Sequence, residues 1–97
     1  MATHYQANAG FVRRTVAGNE VLICVGGNIA NFNGYILLNP TAAFLWDALA
    51  QPRDVPWLTQ ALTKEFQVDP QQATADVEEF LRELEQEGMI QVQNYEI

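Results

Sequence analysis

Reactive side chains are scarce in this sequence, and none is spaced for catalysis. The single Cys24 and the single His4 stand apart, and no serine occurs among the 97 residues. A cysteine nucleophile needs a neighbouring base and a lowered pKa. Cys24 instead lies in the apolar run Val21-Leu22-Ile23-Cys24-Val25 and reads as a buried, inert thiol. His4 has no neighbour at metal-ligand spacing, and no Glu-x-x-His pair occurs. The lack of serine removes serine nucleophiles and the phosphopantetheine attachment site of small acidic carrier proteins. Arg13-Arg14 is the one basic pair, and a solvated strand face suits it better than a phosphate contact. No metal, no cofactor and no enzymatic activity are expected.

The remaining charged chemistry is acidic and uneven. Twelve acids against five Lys and Arg give a net charge of −7. Residues 1–64 sum to +1 and residues 65–97 to −8. A nucleic-acid backbone needs Lys and Arg to replace its counterions, so no nucleic-acid partner is expected. Glu79, Glu83 and Glu87 recur at i,i+4, where like charges repel, and Arg82 is the only base near them. A solvated helix face is one reading of this stripe. A site for Lys or Arg of a partner is the other.

Such residues need elements to hold them. The length fits one domain with a modest core, and 48% hydrophobic residues suit a folded chain. One cysteine allows no internal disulfide. The N-terminus lacks a basic start and an apolar run, and no apolar stretch approaches a membrane span. A cytoplasmic location and no membrane contact are expected.

Residues 1–10 are small and polar and end on Gly10, so they are expected as a flexible N-terminal arm before one domain at 11–97. Phe11 to Val16 is β-prone, Ala17-Gly18-Asn19 signals a turn, and Val21 to Val25 reads as a second strand ended by Gly26-Gly27. Asn33-Gly34 closes a loop-like stretch before a third strand, Tyr35-Ile36-Leu37-Leu38. Its apolar residues point to both faces, so both want cover, and a three-stranded meander leaves two unpaired edges. Gly34 to Leu38 therefore reads either as a covered core strand or as a binding edge.

The period then becomes helical. Asn39-Pro40, Asp54 with Pro56, and Asp69-Pro70 are three cap-and-proline starts. Buried stripes are expected from Ala42, Leu45, Trp46 and Leu49 in the first helix. The second offers Val55, Leu58, Leu62 and Phe66, and the third Ala73, Val77, Phe80, Leu81 and Leu84. Trp46 and Trp57 read as packing residues. The third helix should end near Glu87 with Gly88 as its stop, and Met89 to Val92 suits a short terminal strand. The expected class is α+β: a three-stranded antiparallel sheet followed by three helices, winged helix-turn-helix-like.

Three segments resemble the PqqD-like family, also called RiPP recognition elements. They are R-R-T-V-A-G-N-E-V-L at 13–22, F-N-G-Y-I-L-L-N-P-T-A-A-F-L-W-D-A-L at 32–49 and V-D-P-Q-Q-A-T-A-D-V-E-E-F-L-R-E-L-E-Q-E-G-M-I at 68–90. Asn19 before Glu20 and Pro56 near the second helix start depart from the family pattern without touching its groove. The resemblance implies a domain that binds the leader of a ribosomally made precursor peptide and presents it to a modifying enzyme. Radical SAM maturases, cyclodehydratases and lasso-forming enzymes are such partners. Members of that family act as separate small proteins or as domains fused to enzymes, and a chain from Met1 to Ile97 is expected to be the separate kind.

In this family the leader adds as an antiparallel strand beside a groove. Carried over, the strand is Gly34, Tyr35, Ile36, Leu37 and Leu38. The groove wall comes from Asp76, Val77, Phe80, Leu81 and Leu84, with Glu79 and Glu83 as candidate partners for basic residues. An exposed edge suits a peptide because its N–H and C=O groups pair with any extended backbone. The alternatives are a homodimerisation or protein-interaction module, since free edges also pair between copies, and a winged-helix DNA-binding regulator. The latter calls for a basic recognition helix.

Overall fold

The computed structural model describes residues 2–24 and 35–95. The strands are β1 (Ala2–Ala7), β2 (Phe11–Val16), β3 (Asn19–Cys24), β4 (Tyr35–Leu38) and β5 (Ile90–Tyr95). The helices α1 (Pro40–Ala48), α2 (Val55–Phe66) and α3 (Pro70–Gln86) lie between β4 and β5. β2, β3 and β4 form an antiparallel sheet in that order. The α+β class, the three-stranded sheet and the three helices agree with the expectation.

The helix starts are local in origin. The side chain of Asn39 accepts the N–H of Ala42, that of Asp54 the N–H of Trp57, and that of Asp69 those of Gln71 and Gln72. Each satisfies a donor that the first helical turn leaves unpaired. At the end of α3, Gly88 has φ +71°. There the Met89 N–H donates to Leu84 O at 2.9 Å and the Gly88 N–H to Glu85 O at 3.1 Å. This is a Schellman closure, with Met89 and Leu84 supplying its apolar contact in the core. Ala17 and Gly18, at φ 51° and 82°, make the two-residue β2–β3 turn.

The core joins one face of the sheet to all three helices. Phe11, Leu22 and Leu38 meet Leu45, Trp46, Leu49, Leu58, Leu62, Val77, Leu81 and Leu84. Phe11 and Trp46 pack edge-to-face at 6.5 Å, and Phe44 and Phe66 at 5.6 Å. Arg13 forks onto Asp47 of α1 with bonds of 3.0 and 2.7 Å, and also pairs with Glu20 across the β2–β3 ladder. The hydrogen bond to Asp47 is the chief cause that raises the Arg13 pKa above its ordinary value. This clamp fixes α1 against the sheet.

Two expectations need correction. Residues 2–7 are not a loose arm. They pair antiparallel with β5 from Ala2↔Tyr95 to Ala7↔Ile90. On its other side β1 is held by the Tyr5–Arg53 bridge, at 2.7 and 2.9 Å, and by the Ala7 N–H to Leu49 O at 2.8 Å. Backbone pairing holds the polar segment, with Tyr5 and Ala7 against the core. Trp57, expected as packing, is 40% exposed and stacks under Arg53 at 3.9 Å.

Candidate functional site

β4 is the outermost strand of its sheet, paired with β3 alone among the described residues. In an antiparallel strand every second residue turns its N–H and C=O away from the neighbour. One side of β4 thus offers backbone groups that no described strand pairs. Asn39 caps α1 directly after it, which fixes where the strand stops.

A groove of about 270 Å³ runs between β4 and α3. Ile36 and its neighbour Leu37 line it from β4, with the side chain of Ile36 on the helix-facing side beside Leu22 and that of Leu37 turned to the opposite face, and Asp76, Glu79, Phe80 and Glu83 line it from α3. Asn39, Thr41, Ala42 and Leu45 line it from the start of α1. The α3 residues fall at i, i+3, i+4 and i+7, which is one face of a helix. Phe80 is half-buried against the core, so its ring forms part of an apolar floor with Ile36, Ala42 and Leu45. The acids stand around that floor.

The groove has no internal counter-charge. Asp76 accepts a bond from the neutral Gln72 side chain at 2.8 Å. Both ion pairs among the described residues belong to Arg13. The other bases are elsewhere: Arg53 lies over Trp57, Lys64 lines a cleft between α2 and α3, and Arg82 lies beside Tyr5 and Glu78. Arg14 is an exposed residue of β2. None of the five lines the groove.

The sequence-derived candidates divide in three. Ile36, Leu37, Asp76, Glu79, Phe80 and Glu83 come together around the groove. Val77, Leu81, Leu84 and Leu38 do not line it. They are buried, because they fill the interface of α3 and the sheet with α1 and α2. Tyr35 pairs through its backbone with Ile23, and Gly34 lies outside the described residues, as do Gly26, Gly27 and Asn33. Sequence reasoning does not find Asn39, Thr41, Ala42 and Leu45 as lining: it makes Asn39 a cap and Ala42 and Leu45 part of a core stripe, and gives Thr41 no role. The helix phase explains this: Ala43 is buried and Ala42 is turned outward by one position. No cluster of three His, Cys, Asp or Glu that could hold a metal occurs among the described residues. No described helix is long and apolar enough to cross a membrane.

The family model described as coenzyme PQQ synthesis protein D (PqqD) matches residues 20–90. A comparison with curated proteins gives no match. Among solved structures, a lasso peptide synthetase B1 complexed with the leader peptide is similar at 22% identity and TM-score 0.68. The similarity covers 90% of this chain and 96% of that one. TbiB1 in complex with the TbiA(beta) leader peptide is similar at 18% identity and TM-score 0.67, over 95% of this chain and 99% of that one. At these identities the likeness establishes the shared fold.

Proposed function

The chain belongs to the PqqD family, and on that premise we propose that it is a non-catalytic adaptor that binds the leader of a ribosomally synthesised precursor peptide. The leader adds as an antiparallel strand to β4, and the protein presents the attached core to a peptide-modifying enzyme. That enzyme is of the radical SAM, cyclodehydratase or lasso-forming kind. The observation that carries the reading is the edge of β4, paired by no described strand, opening onto a groove with an apolar floor. Two neighbours of the same fold are described as leader-peptide complexes, which supports it.

Backbone pairing would supply affinity for any extended chain, and the groove would read alternate side chains. The mixed lining favours a long cationic side chain. Its aliphatic stem covers the floor of Ile36 and Phe80, and its head meets Glu79 or Glu83. Those two acids are about 6 Å apart along α3, close to the roughly 6.8 Å between alternate residues of an antiparallel strand. Two basic residues separated by one position would therefore fit. A DNA-binding role lacks its basic helix, since α3 carries only Arg82.

The test is a titration of fluorescein-labelled candidate leader peptides followed by anisotropy, with amide exchange measured on the complex. Saturable one-to-one binding with slowed exchange in β4 is expected. Failure of every leader to bind, or binding that leaves the β4 amides unprotected, would overturn the proposal.

A further inference from the structure

The sheet face turned away from the helices is also largely apolar on its β4 side, with Arg14 opposite Val21 on the β2 side. The β3–β4 register sets Val21 directly beside Leu37, and the period of two puts Val16 and Ile23 on the same face. A depression of about 350 Å³ lies there, lined by Val16, Ala17, Asn19, Val21, Ile23 and Leu37. Val21 is 3% exposed, whereas Leu37 is 64% exposed. Val21 is flanked by strands on both sides, while Leu37 has a described neighbour on one side only.

We propose that Leu37 is a second specificity-determining residue, which reads an apolar side chain on the face of the bound peptide turned away from the groove. This inference rests on strand addition to β4. Once a strand is added there, its side chains alternate between two faces. One set enters the groove. The other set continues the row Val21–Leu37, with the residue opposite Leu37 about 4.5–5.5 Å from it between Cβ atoms. The occupant is therefore a side chain of the same peptide, placed by the backbone pairing that fills the groove. An aliphatic or aromatic residue there covers the exposed flank of Leu37. A short acid such as Asp loses hydration against it and covers nothing. The recognised peptide thus carries an apolar residue immediately beside a groove-facing residue, and the pair is read from opposite faces of one sheet.

The experiment uses the full chain and short random peptides displayed on phage. An enriched peptide that slows amide exchange in β4 is carried forward. Each of its residues is replaced in turn by Asp and titrated against the wild type and against Leu37→Lys. At one position Asp should cost about fivefold in affinity for the wild type. Leu37→Lys should reverse that loss at this position and leave the adjacent groove-facing positions unchanged. The mostly exposed side chain makes folding of Leu37→Lys expected, with circular dichroism as the check. Leu37→Thr is the second variant, and it should lose the preference for an apolar residue without gaining one for Asp. A peptide that protects β4 yet shows no position coupled to Leu37 overturns this inference and leaves the adaptor reading in place. Absence of any peptide that protects β4 overturns both.

Discussion

Proline placed at each of two adjacent positions in β4 separates the two sides of the strand. Ile36 and Leu37 are neighbours, so one turns its N–H toward β3 and the other toward the open edge. Proline removes that N–H and puts a ring in its place. On the open side, the peptide carbonyl that would have accepted the bond is buried without a donor. Such a group costs about 1–3 kcal/mol, a loss of between about fivefold and a little over a hundredfold in affinity. On the β3 side the same penalty falls on folding, because the orphaned carbonyl belongs to β3. One of Ile36→Pro and Leu37→Pro should thus bind a labelled leader weakly with near-normal stability. The other should unfold at lower urea. Anisotropy titration and urea denaturation of both, with Ile36→Val and Leu37→Ala as side-chain controls, check this. Two folded proline variants that both bind as the wild type does would refute strand addition at β4.

Three further outcomes are expected. Glu79→Gln with Glu83→Gln should weaken binding of a basic leader by a few-fold at low salt and flatten its salt dependence. Titrations from low to high NaCl measure this, and wild-type affinity that is flat in salt would count against ionic contacts in the groove. Leu62→Ala, at a position with no exposed surface, should lower stability by about 2–5 kcal/mol in urea denaturation. Gly88→Ala should cost about 1–2 kcal/mol in the same assay. A Cβ there meets nothing within 4 Å, so the cost is that of φ +71° alone.

The helical half of the molecule is legible because its signals are local. Asn39, Asp54 and Asp69 accept N–H groups two or three residues on, and Gly88 closes α3 within a single turn. Apolar spacing in α3 finds Ala73, Val77, Leu81 and Leu84, and it places Phe80 at the border where core becomes groove. The groove as a whole is less legible, since it is a gap between elements. Family resemblance brought Val77, Leu81 and Leu84 into its wall, yet one step of helix phase sends them inward and leaves Asp76, Glu79 and Glu83 outside. Leu37 shows the same limit for strands. The run Tyr35 to Leu38 announces two apolar faces, but which face lacks cover depends on the order of strands. β1 is invisible to pattern reading because its residues are polar and its partner is distant.

That distance shapes how the chain reaches its native state. The Thr3 and Asn94 side chains bond at 2.8 Å across 91 positions of sequence. Pairing so non-local requires closure of a loop that spans nearly the whole chain, an entropy cost met late on the folding path. A protein made from its N-terminus holds residues 2–7 without their β5 partner until Ile90 to Tyr95 has emerged. The β2–β3 hairpin and the three helices can form before then, because their contacts are close in sequence. The β1–β5 ribbon is therefore expected to close last, and its closing completes the core with Ile90, Tyr5 and Ala7.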